Sequence, residues 1–128
     1  MISFNGRTKV FAATGAVDLR KSFDTLFAYC RDHIRKDPLS GHVFLFMNKD
    51  RDRLKALFWD GTGLVLICKR LEEGRFTKLN SFQGDTVEMT ASEFALLFEG
   101  ADLNGRFINR PGNRGMVESP KKFINLHS

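Results

Sequence analysis

Apolar positions recur along this chain at two different periods. Leu19, Phe23, Leu26, Phe27, Cys30 and Ile34 follow one another at spacings of three and four, which places them on one stripe of a helix. Asp18 precedes that stripe as a carboxylate N-cap, and Pro38 ends the helix. Upstream, Lys9-Val10-Phe11-Ala12-Ala13 reads as a short strand closed by Thr14-Gly15.

Downstream of the Asp37-Pro38-Leu39-Ser40-Gly41 turn cluster the pattern changes to strands. His42–Met47 and Leu54–Trp59 are nearly continuous apolar runs, as expected for strands covered on most of each face. Asn48–Arg53 joins them as a short charged hairpin loop that projects into water. After the Asp60-Gly61-Thr62-Gly63 turn, Leu64–Leu71 forms a third strand of this set. Glu72-Glu73-Gly74 then turns the chain into Arg75–Leu79, whose alternation reads as an edge strand.

Thr86–Met89 adds a further strand, and Thr90-Ala91-Ser92-Glu93 is a capping box opening a short helix. Phe94, Leu97 and Phe98 form its apolar face, and Gly100 stops it. The fold class is therefore α+β: one domain over residues 1–102, with a mainly antiparallel sheet of four to five strands packed with one long and one short helix. From Leu103 onward three Gly, two Pro and five Lys or Arg break the periodicity, so residues 103–128 read as a basic, flexible tail.

Composition agrees with a single globular unit. A chain of 128 residues with 42% hydrophobic and 27% charged content is expected to fold around one core, rich in its 13 Phe. Cys30 and Cys68 both sit in apolar periodic runs and read as small buried hydrophobes rather than a disulfide pair. Neither a signal peptide nor a membrane span is legible, so the expected location is cytoplasmic, with no membrane partner.

Charge adds a candidate surface. Residues 1–78 carry a net +6, residues 79–102 carry −5 and residues 103–128 carry +4. Such asymmetry suits an anionic ligand on one surface and a basic partner on another, or merely solvated faces of different sign. Arg20, Lys21, Arg31 and Arg35 fall in an arc beside the first helix's apolar stripe, with Asp24 between them. Lys69, Arg70, Arg75 and Lys78 flank the Glu72-Glu73-Gly74 turn beside Phe76. These eight cations are the candidate nucleic-acid-binding residues.

No catalytic constellation emerges. His33, His42 and His127 are dispersed and no second cysteine neighbours either one, so no metal site and no cofactor are implied. The glycines at 61 and 63 join two strands, whereas a phosphate cradle opens a helix. Asp18, Asp37, Asp60 and Asp85 are the carboxylates that a metal nuclease would use, but the first three have capping or turn explanations.

The wording of several segments carries more than their composition. Asp18-Leu19-Arg20-Lys21-Ser22-Phe23-Asp24, Asp37-Pro38-Leu39-Ser40-Gly41-His42-Val43-Phe44, Arg53-Leu54-Lys55, Phe58-Trp59-Asp60-Gly61-Thr62-Gly63-Leu64 and Lys69–Phe76 resemble the small accessory protein, called TnpB or the second open reading frame, of insertion sequences of the IS-sixty-six type. The resemblance spans residues 7–102, with Ser22, Phe58 and Phe98 departing from the usual residues. It implies a role in transposition beside a separate, larger transposase that holds the carboxylate catalytic centre. The expectation is a non-enzymatic accessory protein whose basic surface contacts element DNA or RNA. The alternative is a protein-interaction module that binds the transposase or self-associates without touching nucleic acid.

Overall fold

The structure, a computed structural model, describes residues 6–79 and 86–100. Its elements are β1 (Lys9–Ala13), α1 (Phe23–Tyr29) continuing into a π-helical turn (Cys30–Ile34), β2 (Val43–Met47), β3 (Arg53–Trp59), β4 (Leu64–Arg70), β5 (Thr86–Thr90) and α2 (Ala91–Phe98). The five strands form one mixed sheet in the order β4-β3-β2-β1-β5. Only the β1–β2 pairing is parallel, and α1 supplies the crossover that a parallel pair requires. The remaining three pairings are antiparallel. The α+β class is thus met.

Both faces of the sheet are buried, so the expectation of one core becomes two clusters on opposite sides. Strand alternation sends Phe11, Phe44, Phe46 and Leu57 toward Leu26, Cys30 and Ile34 of the helical crossover. It sends Val10, Leu45, Leu54 and Phe58 toward Phe94 and Leu97 of α2 and toward Phe76 and Leu79. Phe44 and Phe46 are fully buried, and each contributes about 1.5–3 kcal/mol by leaving water. A sheet covered on both faces explains why β2 is apolar at all five positions.

Six local expectations are corrected. The first helix begins at Phe23, with Ser22 and not Asp18 at the N-cap position. Val17 donates its N–H to the Met47 carbonyl and Lys55 Nζ donates to the Lys21 carbonyl, so residues 17–21 are held at the sheet before the helix starts. Phe23, placed on the apolar stripe by spacing, is 40% exposed as a result. The helix also stops before Pro38: Arg35 takes the left-handed conformation (φ 61°, ψ 42°) and ends the π-helical turn.

Arg75–Leu79 is not a ladder strand. Phe76 is buried beneath the sheet and exchanges hydrogen bonds with Arg51, N–H to carbonyl at 2.6 Å and Arg51 Nη1 to the Phe76 carbonyl at 3.3 Å. Burial of the ring outweighs continued pairing with β4, which is left as the sheet edge. Cys68, expected inside, is exposed because it lies near the open end of that edge strand. Asn48–Arg53 does not simply project into water either. Asn48 Oδ1 accepts from the Asp52 and Arg53 amides, its Nδ2 donates to Asp52 Oδ1 at 2.6 Å, and Arg51 turns the chain at φ 56°.

Other local readings hold. Thr90 and Glu93 form a reciprocal capping box, and Gly100 follows α2 at φ 90° with its N–H on the Leu97 carbonyl. Asp60 Oδ1 accepts from Thr62 and Gly63 amides while Gly61 takes φ 106°, so the Asp-Gly turn connects β3 to β4. Asp85 and the tail from 103 lie outside the described residues.

Candidate functional site

A cationic trough runs across one end of the sheet. Its larger part, about 820 Å³, lies between the segment that follows β1 and the face of β3 and β4 on the α1 side. Antiparallel register sets Arg53 opposite Arg70 and Lys55 opposite Cys68. Because residues two apart share a strand face, Arg53 and Lys55 from β3 and Cys68 and Arg70 from β4 form one patch on its floor.

A smaller cavity of about 300 Å³ adjoins it, sharing Ala16, Asn48 and Lys49 and adding Arg51 and Lys78. That part sits just past the carboxyl ends of the parallel strands β1 and β2, where loops diverge and leave a crevice. The Asn48 hydrogen-bond network fixes the β2–β3 turn and thereby holds Lys49, Arg51 and Arg53 at the junction of the two cavities.

The combined lining holds eight Lys or Arg and two carboxylates, Asp18 and Glu72. Both carboxylates sit against arginines, Asp18 on Arg20 at 2.8 Å and Glu72 on Arg70 at 3.3 Å. The Arg20 side chain, followed by its backbone N–H, holds the Asp18 carboxyl well below the usual carboxylate range. These are exposed pairs that solvent screens, so they contribute little stability.

The eight candidate cations do not converge on one surface. Arg20, Arg70 and Lys78 line the trough. Lys69 contributes to its wall but extends its ammonium to the opposite side, 2.6 Å from the Phe98 carbonyl and 4.7 Å from the Phe98 ring centroid. Lys21 is outside the lining of both cavities, and its carbonyl receives Lys55 Nζ. Arg31 pairs with Asp32 at 2.8 Å, and that pairing lowers the Asp32 carboxyl. Arg35 terminates the π-helical turn, and Arg75 is exposed outside the trough lining.

Spacing along the chain missed Lys49, Arg51, Arg53 and Lys55. The available signal was Arg53-Leu54-Lys55 at the start of an apolar strand, where period two already puts both cations on one face. Among the described residues, no group of three or more His, Cys, Asp or Glu is placed to hold a metal ion. Asp60, the other carboxylate considered for metal chemistry, is held below its usual range by the Thr62 and Gly63 amides and is occupied by its turn. No helix among the described residues is long and apolar enough to cross a membrane.

The fold and the site together define a small mixed α+β domain with a basic trough at one end of its sheet. The family described as IS66 Orf2 like protein matches residues 8–106, and this chain belongs to that family. Two similar proteins come from Sinorhizobium fredii (strain NBRC 101917 / NGR234). Uncharacterized protein y4jC is 34% identical over 102 residues, which cover 80% of this chain and 86% of that protein. Uncharacterized protein y4hO is 30% identical over 102 residues, 80% of this chain and 88% of that protein. No solved structure matches the chain.

Proposed function

We propose that this protein is a non-catalytic accessory factor of insertion-sequence transposition that contacts nucleic acid through the cationic trough. Seven Lys or Arg, Lys69 set aside because its ammonium turns to the opposite side, against two carboxylates in two adjoining concave linings is the observation that carries the reading. Phosphates neutralised by such a lining release counterions, which is the main source of affinity in sequence-independent binding.

The test is binding of a labelled element-end fragment to the full chain across a salt series. Changing Arg53 and Lys55 together to Ala is expected to weaken binding at least tenfold and to flatten the salt dependence. No affinity at low salt overturns the reading.

The second reading, a module that binds the transposase or another copy of itself, is supported by β4. Among the described residues that strand pairs only with β3, and Leu64, Val65, Leu66 and Ile67 along it are half-buried. Such an edge is a template for strand addition. Recovery of transposase with this chain from nuclease-treated lysate favours this reading, and loss of recovery after nuclease favours the nucleic-acid one.

A further inference from the structure

The trough differs from the grooves that hold unpaired bases. Among the described residues, neither of its two cavities has an aromatic ring in its lining; the walls are Lys, Arg, small, polar and aliphatic residues, the carboxylates Asp18 and Glu72, and one thiol. Single-strand binders combine a basic groove with aromatic platforms on which bases stack, and a lining without rings forgoes that contribution.

What remains is electrostatic, and electrostatic binding favours the ligand of greater charge density. A duplex releases more counterion per neutralised phosphate than a single strand does. The cations also line a concavity, not a protrusion. Arg53, Lys55 and Arg70 stand on a hydrogen-bonded sheet face flanked by residues 16–20 on one side and the 48–53 turn on the other. A concave row of exposed cations receives the projecting phosphate ridge of a double helix, whereas reading base edges requires an element that protrudes into a groove.

We propose that the trough seats the phosphodiester ridge of double-stranded nucleic acid and does not read its base sequence. This deepens the nucleic-acid reading above and rests on it. Lys49, Arg53, Lys55 and Lys78 are the main contacts, since Arg20 and Arg70 are shared with Asp18 and Glu72. Four phosphates neutralised correspond to a slope of log K on log salt of about −3.6 on B-form DNA.

Cys68 supplies a reporter in the unmodified protein. It is the exposed one of the two thiols, and it lies on the trough floor opposite Lys55. A ligand seated there shields it.

The experiment uses the full chain and four fluorescent 20-mer probes: a duplex DNA, a shuffled duplex of equal composition, one strand alone, and a duplex RNA. The expected result is similar affinity for the two DNA duplexes, within about threefold, and at least tenfold weaker binding of the single strand. Saturating duplex is expected to slow alkylation of Cys68 at least fivefold. Arg53→Gln with Lys55→Gln weakens duplex binding, while Arg31→Gln, off the trough, leaves it unchanged. Binding of duplex RNA comparable to duplex DNA also supports the proposal, since both present the same ridge chemistry.

Equal or tighter binding of the single strand overturns the inference and leaves the broader nucleic-acid reading standing. A tenfold preference between the two DNA duplexes overturns sequence neutrality. Duplex binding with no protection of Cys68 overturns the trough as its seat. Failure of every probe at low salt overturns both readings together.

Discussion

Arg53 and Arg70 face each other across the β3–β4 ladder, two guanidinium side chains at directly opposed positions on the trough floor. Like charges so placed repel in the absence of an anion. Glu72 partly relieves Arg70 at 3.3 Å, but among the described residues no ion pair involves Arg53. On the proposed reading, a bound phosphate relieves this repulsion.

Arg53→Thr separates stability from binding. Removing the opposed charge and adding a β-branched residue is expected to raise stability by about 0.2–1 kcal/mol. Thermal unfolding without ligand checks the gain, and anisotropy with a phosphate-rich polymer checks the matching loss of affinity. A variant that is destabilised and binds normally contradicts this account.

The two thiols differ in accessibility. Burial pushes the Cys30 thiol up to about 12, and its side chain is fully enclosed between the π-helical turn and the sheet, whereas Cys68 is exposed. Thiol titration at neutral pH is expected to modify one cysteine in the folded protein and two in denaturant. Peptide mapping identifies the fast one as Cys68; rapid modification of Cys30 contradicts the packing of the α1 side.

Arg35 carries backbone strain that glycine would remove. At φ 61° a non-glycine residue costs about 1–2 kcal/mol, while glycine adds about 0.5–1 kcal/mol of unfolded-state entropy. Arg35→Gly is therefore expected to stabilise the fold by about 0.5–1 kcal/mol in urea titration. The gain is absent if the left-handed stop is not maintained in solution.

Acid sensitivity follows from the turn carboxylates. The Thr62 and Gly63 amides donate to Asp60 and hold its carboxyl below the usual range, so the folded chain binds that proton more weakly than the unfolded chain does. Its stabilising effect is present above about pH 4, the ordinary carboxylate value, and is lost as pH falls further toward the folded value. Asp60→Asn removes this titration, and its stability is expected to decline less steeply below pH 4 than that of the parent protein. Parallel acid profiles for the two proteins refute the assignment.

The alternation and spacing of apolar residues were enough to determine the elements near the site. β2, β3 and β4, the Asp60-Gly61 turn, the capping box and the Gly100 stop all follow from local propensity and steric preference, which act over a few residues. The family too was readable in short exact segments, which the match over residues 8–106 bears out. Tertiary structure decided the rest. Arg53 meets Arg70 only through strand register, Lys69 leaves the cationic group only because the Phe98 carbonyl and ring lie on its face, and Phe76 abandons the ladder for a buried seat beside Arg51. Each depends on contacts between residues 17 to 29 positions apart, which no local period encodes. The basic segment from Lys69 to Phe76 was visible as sequence, but the trough beside it exists only once β3, β4 and the segment after β1 are packed together.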